Sequence, residues 1–408
     1  MAKTFDVAVV GGGAAGLVAA VSAARTGRTV IVCERLPRPG KKILATGGGR
    51  CNLLNRDLSP EHFTSSSRQV ITSVFERFGK KDILAFFKGL GLETYDDGAE
   101  DGRIFPVTNQ ASSVLKVLEL EMKRLGVPVE SGFEVSAVSG PGADFAVETA
   151  AGRRIQARSV VLAGGGKAYP ALGSNGSCYD LAEAFGHGLV MPVPSAVPIV
   201  ARDRLCHMLQ GQKIRANATA ILGGKAVAVA SGEVLFTQYG LSGTAVLDVS
   251  ERLSVAFNRD GNTDTAVSID LVPQMNSEKL ALEFLRRFQA RWAPADLTAG
   301  ILPDKFSSVV AGLVEAGIRN DGEKARSLAG ALKAKIFKVL GTRGWNEAEF
   351  TAGGIDARDI DPRTLESRLR KNIFLAGEVI DVQGRRGGYN LAWAWASGYI
   401  AGLTGREA

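Results

Sequence analysis

The sequence predicts an α/β fold in which a parallel-sheet unit, formed by both ends of the chain, is interrupted by an antiparallel insert and a group of helices. Three observations predict it. Residues 5–34 have the order apolar strand, glycine turn, helix, strand. Strand-and-glycine segments recur at residues 160–166 and 373–388. Between them, residues 213–271 include segments that alternate apolar and polar side chains, as half-buried antiparallel strands do.

The first element is an apolar strand that leads into a glycine turn. Its run from Val7 to Val10 is typical of a parallel strand covered on both faces. The turn has the pattern GxGxxG, formed by Gly11, Gly13 and Gly16. In a Rossmann-like dinucleotide-binding unit, the first glycine makes the tight turn, the second admits a pyrophosphate, and the third lets the helix pack on the strand.

The helix and the second strand complete this unit. The helix begins at Ala14 and Ala15, so its free N–H groups are predicted to face the pyrophosphate. The second strand ends at Glu34, where a carboxylate is expected to bind ribose hydroxyls, and Arg35 directly after it is a further candidate contact. Because Glu34 would repel a 2′-phosphate, the pattern favours FAD or NAD.

Composition and charge narrow the class of protein. Of 408 residues, 45% are hydrophobic and 22% charged, which is ordinary for a globular protein. The four cysteines have no metal-ligand spacing and there are three histidines, so no metal site is predicted. No apolar run reaches the ~18 residues of a membrane span, and we expect a cytoplasmic protein without a membrane partner. The net charge of +7 favours anionic partners such as nucleotides or RNA.

A second glycine-rich stretch, GKKILATGGGRCNLLN, occupies residues 40–55. Consecutive glycines cost backbone entropy, which indicates that they leave bare backbone beside a ligand. The residues predicted to contact the cofactor here are Lys42, Gly47, Gly48, Gly49, Arg50 and Asn52. Arg50 is suited to a pyrophosphate or an anionic substrate, and Asn52 and Asn55 can bond ring edges. Cys51 has either a structural role or that of a proton donor beside the cofactor.

The rest of the chain decides between FAD and NAD. An NAD domain would continue after Glu34 into further βα units, whereas residues 127–166 indicate a small meander that ends in a strand returning to the sheet. One phosphate site with distant strand–glycine segments is the layout of FAD proteins of the glutathione reductase type, which the chain resembles over residues 1–190 and 345–408. The resemblance implies cofactor contacts at Ala163, Gly164, Gly165 and Gly377. It also implies that Glu378, where that superfamily usually has Asp, meets the ribityl chain.

The start of the last helix is a further predicted contact. The segment GRRGGYNLAWAWASGYIAG places Gly387, Gly388, Tyr389 and Asn390 at a helix N-terminus. The positive end of the helix dipole suits the N1–C2=O region of a flavin, which carries negative charge when reduced. Arg385 and Arg386 precede this turn and face either substrate or solvent.

More narrowly, the chain resembles the bacterial BaiN/RdsA-type (aminoacetone oxidase-like) NAD(P)/FAD-dependent oxidoreductases. Four segments carry this resemblance: residues 40–55, 232–247, 351–355 and 377–402. The family implies an FAD domain interrupted by a β-barrel and a helical insert. We therefore expect a discontinuous FAD domain at residues 1–189 and 345–408, a β-barrel at 190–275, and a basic helical insert at 276–344.

The chemistry is open among three alternatives. In flavin disulfide reductases a CxxxxC pair lies beside the flavin, but Arg56 stands five residues after Cys51, so dithiol chemistry is excluded. The preferred alternative, implied by the resemblance, is hydride transfer from reduced flavin to a conjugated C=C bond of an enone or of uracil, including uridine in ribosomal RNA. Cys51, Asn52 and Tyr389 are then the candidate catalytic residues, and NADH or NADPH binds transiently as reductant.

The other two alternatives are oxidation of a small amine such as aminoacetone, with oxygen as acceptor, and a non-enzymatic RNA-binding module stabilised by FAD. Residues 324–343 contain several lysines and arginines and no acidic residue. They form either an RNA-binding surface or a solvent-exposed helix face. The sequence does not indicate an oligomeric state.

Overall fold

A computed structural model of the chain describes residues 4–98, 102–141, 144–313 and 318–404. The chain divides into two compact units. The first contains residues 1–192 and 350–408, and the second contains residues 193–349.

In chain order the strands are β1 (Thr4–Val10), β2 (Val30–Glu34), β3 (Leu54–Asn55), β4 (Phe63–Ser65), β5 (Thr94–Asp96), β6 (Arg103–Pro106), β7 (Val129–Ser131), β8 (Val135–Ser139), β9 (Phe145–Thr149), β10 (Arg154–Leu162), β11 (Leu189–Ser195), β12 (Ile199–Val200), β13 (Lys213–Leu222), β14 (Lys225–Thr237), β15 (Gly240–Ser242), β16 (Thr265–Asp270), β17 (Lys335–Lys338), β18 (Gly341–Thr342), β19 (Phe350–Ile355), β20 (Ile373–Leu375) and β21 (Val382–Gly384). The α-helices are α1 (Ala14–Arg25), α2 (Lys41–Ala45), α3 (Arg68–Arg77), α4 (Lys80–Gly89), α5 (Ala111–Arg124), α6 (Ser177–Glu183), α7 (Arg204–Met208), α8 (Thr244–Ser254), α9 (Ser277–Gln289), α10 (Asp304–Val310), α11 (Asp321–Lys333) and α12 (Tyr389–Gly402).

The first unit is built on a parallel sheet with the strand order β7-β2-β1-β10-β20. Strand β1 lies inside this sheet, and Val7 and Val9 are fully buried, which explains its continuous apolar run. The first residues of β10 pair antiparallel with β9, and its last three pair with β20. The prediction of a meander whose last strand returns to the parallel sheet is thus confirmed.

Helices α1 and α12 hold the two segments of this unit together. A Cβ atom added at Gly398 would lie 2.3 Å from the carbonyl oxygen of Ala15, and one at Gly402 would lie 2.4 Å from that of Ala19. The helix backbones therefore approach each other as only glycine permits. This packing fixes the C-terminal glycine turn relative to the N-terminal one.

The second unit contains an antiparallel sheet with the order β17-β16-β13-β14-β15-β12-β18. Two residues separate β17 from β18, although these strands are the two ends of the order. A flat sheet of seven strands about 4.8 Å apart would separate its edges by roughly 29 Å, whereas this connection spans at most about 10 Å. The sheet must therefore curl, and the prediction of antiparallel strands in this insert is confirmed, while its closure into a barrel stays a prediction.

Two features of the insert differ from the sequence-based expectation. Helix α8 lies within the stretch expected to be barrel alone, and the residues after α11 form β17 and β18 instead of more helix. Lys335, Phe337 and Val339 are less exposed than the residues between them, which is the period of two of a strand. This period is not visible in the sequence, because lysines stand at both more and less exposed positions.

Candidate active site and dinucleotide-binding turns

The N-terminal glycine turn has the geometry that its sequence pattern predicts. Gly11 has a φ of +104°, and a Cβ there would lie 2.6 Å from the carbonyl oxygen of Ala163. A Cβ at Gly16 would lie 1.8 Å from the carbonyl oxygen of Gly11. At Gly13, by contrast, nothing lies within 4 Å.

The open space at Gly13 indicates whether the N-terminal glycine turn has room for a dinucleotide. Gly13 has φ −81° and ψ −167°, an extended conformation that any residue adopts. Neither strain nor crowding inside the protein requires glycine here, so a ligand that approaches the backbone is the physical reason for it. Gly13 precedes α1, which begins at Ala14 and offers free N–H groups to a pyrophosphate. Gly13 and the start of α1 therefore fit the pyrophosphate of a dinucleotide.

The acid at the end of β2 is held in place. The Glu34 side chain is buried and accepts hydrogen bonds from Gly12 N and Leu36 N, both at 2.7 Å. Each oxygen has lone pairs left for ribose hydroxyls. Arg35 instead forms an ion pair with Glu134 at 3.2 Å and contacts the carbonyl of Pro170, so its guanidinium is engaged within the protein.

The second turn follows α2 as a tight turn at Thr46–Gly49. Gly48 and Gly49 are exposed, and a Cβ at either would meet nothing within 4 Å. A Cβ at Gly47 would lie 2.7 Å from the Asn52 backbone nitrogen. The Arg50 guanidinium lies over the Phe105 ring, 4.6 Å from its centroid, and is exposed to an incoming anion.

Cys51 follows this turn and is buried. Its side chain is fully buried, and burial raises the pKa of the thiol to about 12. A thiol without exposure and held neutral is poorly placed to exchange protons with a substrate. Its position favours the structural role, which was one of the two alternatives.

The second turn packs directly against the C-terminal one. Asn55 donates its amide hydrogen to the carbonyl of Gly387 at 2.9 Å. With its amide oxygen and nitrogen exchanged, the orientation that satisfies its neighbours, the Asn52 side chain accepts from Gly388 N at 3.1 Å and donates to Leu54 O at 3.2 Å. Sequence reasoning expected both amides to bond cofactor edges, but these bonds hold the two turns together.

The C-terminal turn ends in α12. Gly387 and Gly388 have φ of +120° and +98°, and a Cβ at Gly388 would lie 2.5 Å from the Leu54 carbonyl carbon. Asn390 closes the turn, because its side chain accepts from Gly384 N at 2.9 Å and donates to Gly384 O at 2.8 Å. The buried Tyr389 ring packs edge-on against Phe63, with centroids 5.7 Å apart.

The predicted ribityl-binding acid lies in the short 3₁₀ turn Gly377–Val379 that follows β20. Glu378 forms an ion pair with Lys42, with Nζ and Oε2 at 2.8 Å, and accepts from Thr351 N at 2.7 Å. This contact brings Lys42, from the 40–55 stretch, to the predicted ribityl position. Gly377, just before it, has a φ of +77° and a Cβ there would lie 2.8 Å from Ala15 Cβ.

The segment after β10 lies beside the N-terminal glycine turn. Together with the N-terminal, second and C-terminal turns it forms what we call the cofactor cradle. The Ala163 nitrogen donates to the carbonyl of Val10 at 2.8 Å, which ties this segment to the end of β1. A Cβ at Gly164 would lie 2.5 Å from Cys178 Sγ, and Gly165 has a φ of +77°. Both glycines are thus required by packing or conformation.

Sequence reasoning missed His62 and Asp57. His62 Nε2 lies 2.8 Å from Asp57 Oδ2, and the His62 ring centroid is 4.9 Å from that of Tyr389. The sequence signal was DLSPEH, in which a Pro-initiated turn returns a histidine toward an acid five residues earlier.

Within the described ranges, no three His, Cys, Asp or Glu side chains group together as metal ligands would. No helix among the described residues is both long and apolar enough to span a membrane.

Part of the predicted basic surface is engaged in ion pairs within the second unit. Lys333 forms an ion pair with Asp270 at 2.7 Å and donates to the carbonyls of Val272 and Met275. Lys335 forms an ion pair with Asp203 at 2.8 Å. Lys338 is exposed. Lys333 and Lys335 are therefore engaged within the second unit, and RNA binding by residues 324–343 stays a prediction.

Known proteins resemble this chain along its length. The profile of the family described as HI0933-like protein Rossmann domain matches residues 5–404. A 3-dehydro-bile acid delta(4,6)-reductase of Clostridium scindens is 35% identical, covering 98% of this chain and 99% of the relative. A ribosomal RNA dihydrouridine synthase of Haemophilus influenzae is 30% identical, covering 99% of both.

Among solved structures, a 3-ketosteroid-delta4-(5alpha)-dehydrogenase from Rhodococcus jostii superposes with a TM-score of 0.51 at 17% identity, covering 99% of this chain and 97% of that one. A 3-ketosteroid delta1-dehydrogenase from Sterolibacterium denitrificans superposes with a TM-score of 0.52 at 12% identity, covering 98% of each. At these identities the likeness concerns the fold.

Proposed function

This chain belongs to the HI0933-like Rossmann family, and we propose that it reduces a carbon–carbon double bond conjugated to a carbonyl. It is an FAD-dependent oxidoreductase. The proposal concerns the bond reduced and the electron donor.

One observation carries the proposal. Two relatives that match over nearly the whole chain are named for reducing, respectively, a bile acid at the 4,6 positions and uridine in ribosomal RNA. These molecules differ in size and charge, but each offers a C=C bond polarised by a neighbouring carbonyl. A shared scaffold with two such substrates favours the shared reaction, because the chemistry belongs to the cofactor and the specificity to the surrounding residues.

The residues of the first unit have distinct parts in holding FAD. Gly13 and the N-terminus of α1 would accept the pyrophosphate, Glu34 the adenosine ribose, and Glu378 with Lys42 the ribityl chain. The N-terminus of α12 after Gly388 would face the carbonyl edge of the ring, where its dipole stabilises negative charge. When bound, FAD supplies the two-electron, hydride-transferring ring.

The polar groups around this cradle limit what the protein itself does. Arg50 is exposed and positioned to attract an anionic substrate or cosubstrate. The catalytic roles predicted for Asn52, Cys51 and Tyr389 stay predictions, and the Asn52 and Cys51 environments favour a supporting role. NADH or NADPH, bound transiently, is the electron donor we propose.

The proposal is tested with FAD-loaded protein under anaerobic conditions. NADH or NADPH is added first, and then either a 3-dehydro bile acid with 4,6 double bonds or a ribosomal RNA transcript, while the flavin spectrum and the product mass are followed. We expect flavin bleaching by a nicotinamide and recovery of colour with a product two hydrogens heavier. Colour recovery with neither acceptor contradicts the proposal.

The amine-oxidase alternative makes a different prediction for the same preparation. An amine oxidase would bleach anaerobically with aminoacetone alone and release peroxide in air without nicotinamide. Bleaching by the amine and not by nicotinamide would replace the proposal with this alternative.

For the RNA substrate, the test of surface charge uses Lys338. Because Lys333 and Lys335 are ion-paired, charge reversal there would damage the insert whether or not RNA binds. Lys338→Glu should weaken RNA binding and reduce its salt dependence by about one phosphate contact, while bile-acid reduction is unchanged. An unchanged salt dependence excludes Lys338 from an RNA surface.

A further inference from the structure

A groove lies beside helix α9 in the second unit, and we call it the α9 groove. It has a volume of about 530 Å³, which suits a small organic ligand. Met275, Leu282 and Ile301 form its apolar part. The Leu282 side chain is 66% exposed, so its apolar surface is available to a ligand. The other lining residues are three cations and one carboxylate: Lys279, Arg286, Arg287 and Glu283.

Arg287 lines this groove with a guanidinium that the protein holds only in part. Its Nε donates to Glu283 Oε1 at 2.6 Å, and its Nη1 donates to the carbonyls of Leu297 and Ala299 at 3.0 and 2.8 Å. Its Nη2 donates no hydrogen bond within the described ranges, yet this nitrogen is not enclosed by protein atoms. A guanidinium fixed by three hydrogen bonds thus keeps N–H groups for an acceptor that enters the groove.

The charges around Arg287 leave this part of the groove positive. Arg286 donates to both oxygens of Glu283, from Nε at 3.0 Å and from Nη2 at 2.7 Å, so two arginines share one carboxylate. These hydrogen bonds lower the pKa of the Glu283 carboxyl to about 2, and it is ionised near neutral pH. Two guanidiniums and one carboxylate leave one positive charge in excess. Lys279 is exposed, has no ion pair in the described part of the chain, and lies about 12 Å before Arg287 along the helix axis.

An indole ring lies against both guanidiniums. The centroid of the Trp292 ring is 4.6 Å from Arg287 Cζ and 5.7 Å from Arg286 Cζ. The backbone nitrogen of Trp292 donates to the carbonyl of Arg287 at 3.0 Å, which fixes the indole at the end of α9. An apolar ring beside a cation keeps water away and so strengthens the attraction of the cation for an anion. Trp292 is also a fluorescent group beside the proposed anion-binding atoms.

A matching arrangement on α5 shows what distinguishes the one on α9. Residues 120–124 repeat the spacing of residues 282–286, with Leu first, Glu second and Arg fifth. Glu121 is likewise shared by two arginines, Arg124 and Arg25. Arg25, however, directs both its Nε and its Nη2 to Glu121, whereas Arg287 leaves its Nη2 without a partner among the described residues. The α5 arrangement is therefore a structural control for substitutions on α9.

We propose that the α9 groove binds an amphiphilic carboxylate. The carboxylate accepts hydrogen bonds from Arg287 Nη2 and from Arg286, and the apolar body of the ligand lies along Leu282 toward Lys279. An uncharged amphiphile would leave the guanidiniums unused, and a small inorganic anion would leave the apolar part of the groove unused. This inference does not depend on the bond that the protein reduces, so either can fail without the other.

The ligand chemistry is tested by calorimetric titration of FAD-loaded protein. Two kinds of molecule are amphiphilic carboxylates, a straight-chain fatty acid and a ring-bodied acid, and the probes are decanoate and cholate. Decanol is the uncharged counterpart, and acetate is the carboxylate without an apolar body. We expect decanoate, cholate or both to bind at least about 10-fold more tightly than decanol and acetate. If decanol or acetate binds as tightly as the two probes, or if neither probe binds, the proposal is overturned.

The place of binding is tested with Arg286→Gln and Leu282→Ser. Both side chains are exposed, so the protein should fold and keep its FAD content. We expect each variant to weaken binding of the carboxylate by about 10-fold. The matched controls are Arg124→Gln and Leu120→Ser on α5, which should bind it as the wild type does. Wild-type affinity in both α9 variants, or an equal loss in the α5 controls, overturns the proposal.

A fluorescence titration locates the ligand without removing a group that binds it. Trp292→Phe keeps an aromatic ring against the guanidiniums and removes only the indole. Tryptophan emission of the wild-type protein should change as the carboxylate is added, and this change should be lost in Trp292→Phe while the calorimetric affinity stays within a few-fold of wild type. If Trp292→Phe gives the same emission change as the wild type, the ligand binds elsewhere and the proposal is overturned.

Discussion

At Gly16 an added Cβ would lie 1.8 Å from the carbonyl oxygen of Gly11, whereas at Gly13, three residues earlier in the same turn, nothing lies within 4 Å. The same contrast separates the α1–α12 contact, where Gly398 and Gly402 are crowded, from the second turn, where Gly48 and Gly49 are open. The crowded glycines are required by the protein's own packing. The open ones leave backbone uncovered on the side where the cofactor is proposed to bind.

The comparison shows how glycines that look alike in sequence are distinguished by structure. Crowding makes a glycine necessary for folding, so its replacement should destabilise the apoprotein. An open glycine in an extended conformation has no such reason, and its replacement should affect only the ligand. Substitutions at both kinds of glycine test this division.

The largest effect is expected for Gly16→Ala. Its Cβ would overlap the backbone of Gly11, and neither backbone can move without separating α1 from β1. Overpacking of this kind should cost at least about 3 kcal/mol, measured as a fall in the thermal midpoint of the apoprotein or as failure to fold. The matched control is Gly330→Ala in α11, where the Cβ meets nothing within 4 Å, which should be neutral or stabilising by up to about 1 kcal/mol. Equal stabilities of the two variants would contradict the division.

Gly13→Ala should have the opposite signature. Its backbone is extended and its surroundings are open, so apoprotein stability should stay within about 0.5 kcal/mol of wild type. The methyl group would occupy the closest approach of the pyrophosphate, so we expect FAD affinity to fall by about 10- to 100-fold, equivalent to roughly 1.4–2.8 kcal/mol. Isothermal titration of apoprotein with FAD measures it. Wild-type affinity would mean that the pyrophosphate lies elsewhere.

A substitution that destabilises α1 far from the glycine turn tests whether FAD affinity simply follows the stability of the protein. Glu121 on α5 is buried and accepts from Arg124 and from Arg25 at the end of α1, and these bonds lower the pKa of its carboxyl to about 2. Glu121→Gln should lose about 2 kcal/mol of stability at neutral pH, yet bind FAD normally. Reduced affinity in this variant would weaken the conclusion drawn from Gly13→Ala.

The pH dependence of Glu121→Gln has a fixed sign. The folded-state pKa of Glu121 is below its unfolded value of 4.5. Its contribution is therefore complete above pH 4.5 and is lost as the pH falls toward about 2. The stability difference between wild type and variant should be constant from pH 5 to 7 and shrink below that, which chemical denaturation at several pH values measures. A difference that grows on acidification would contradict this assignment.

How much of this the sequence could predict depends on the range of the interactions. The β1–α1–β2 unit could be predicted because GxGxxG, the strand pattern and Glu34 are local signals that agree. The return of β10 to the sheet also has a local signal, an apolar run ending in glycines. The antiparallel insert was visible as alternation, but β17 was hidden because lysines occupy both exposed and half-buried positions of that segment.

The site could be predicted less completely. Sequence identifies Asn52, Asn55 and Asn390 as polar residues beside glycines, and an amide that bonds a cofactor looks the same there as one that bonds a backbone turn. Gly388 and Gly387, the partners of Asn52 and Asn55, lie far along the chain and leave no local signal. Asn390, by contrast, bonds Gly384 six residues before it. The contact of His62 with Asp57 had a local signal in DLSPEH, whereas its contact with Tyr389 joins residues far apart in the chain and had none.

The smallest effect is expected in the second turn, where conformation and ligand both favour glycine. Gly49 and Gly91 are both exposed, both have φ of +87°, and neither has an atom within 4 Å of an added Cβ. Gly49→Ala and Gly91→Ala should therefore each cost about 1 kcal/mol of apoprotein stability, the strain of a left-handed alanine. Only Gly49→Ala should also weaken FAD, by a few-fold, because Gly91 follows α4 outside the cradle. Equal FAD affinities for the two variants would show that the second turn has glycine for its conformation alone, and would restrict the cofactor cradle to the N- and C-terminal turns.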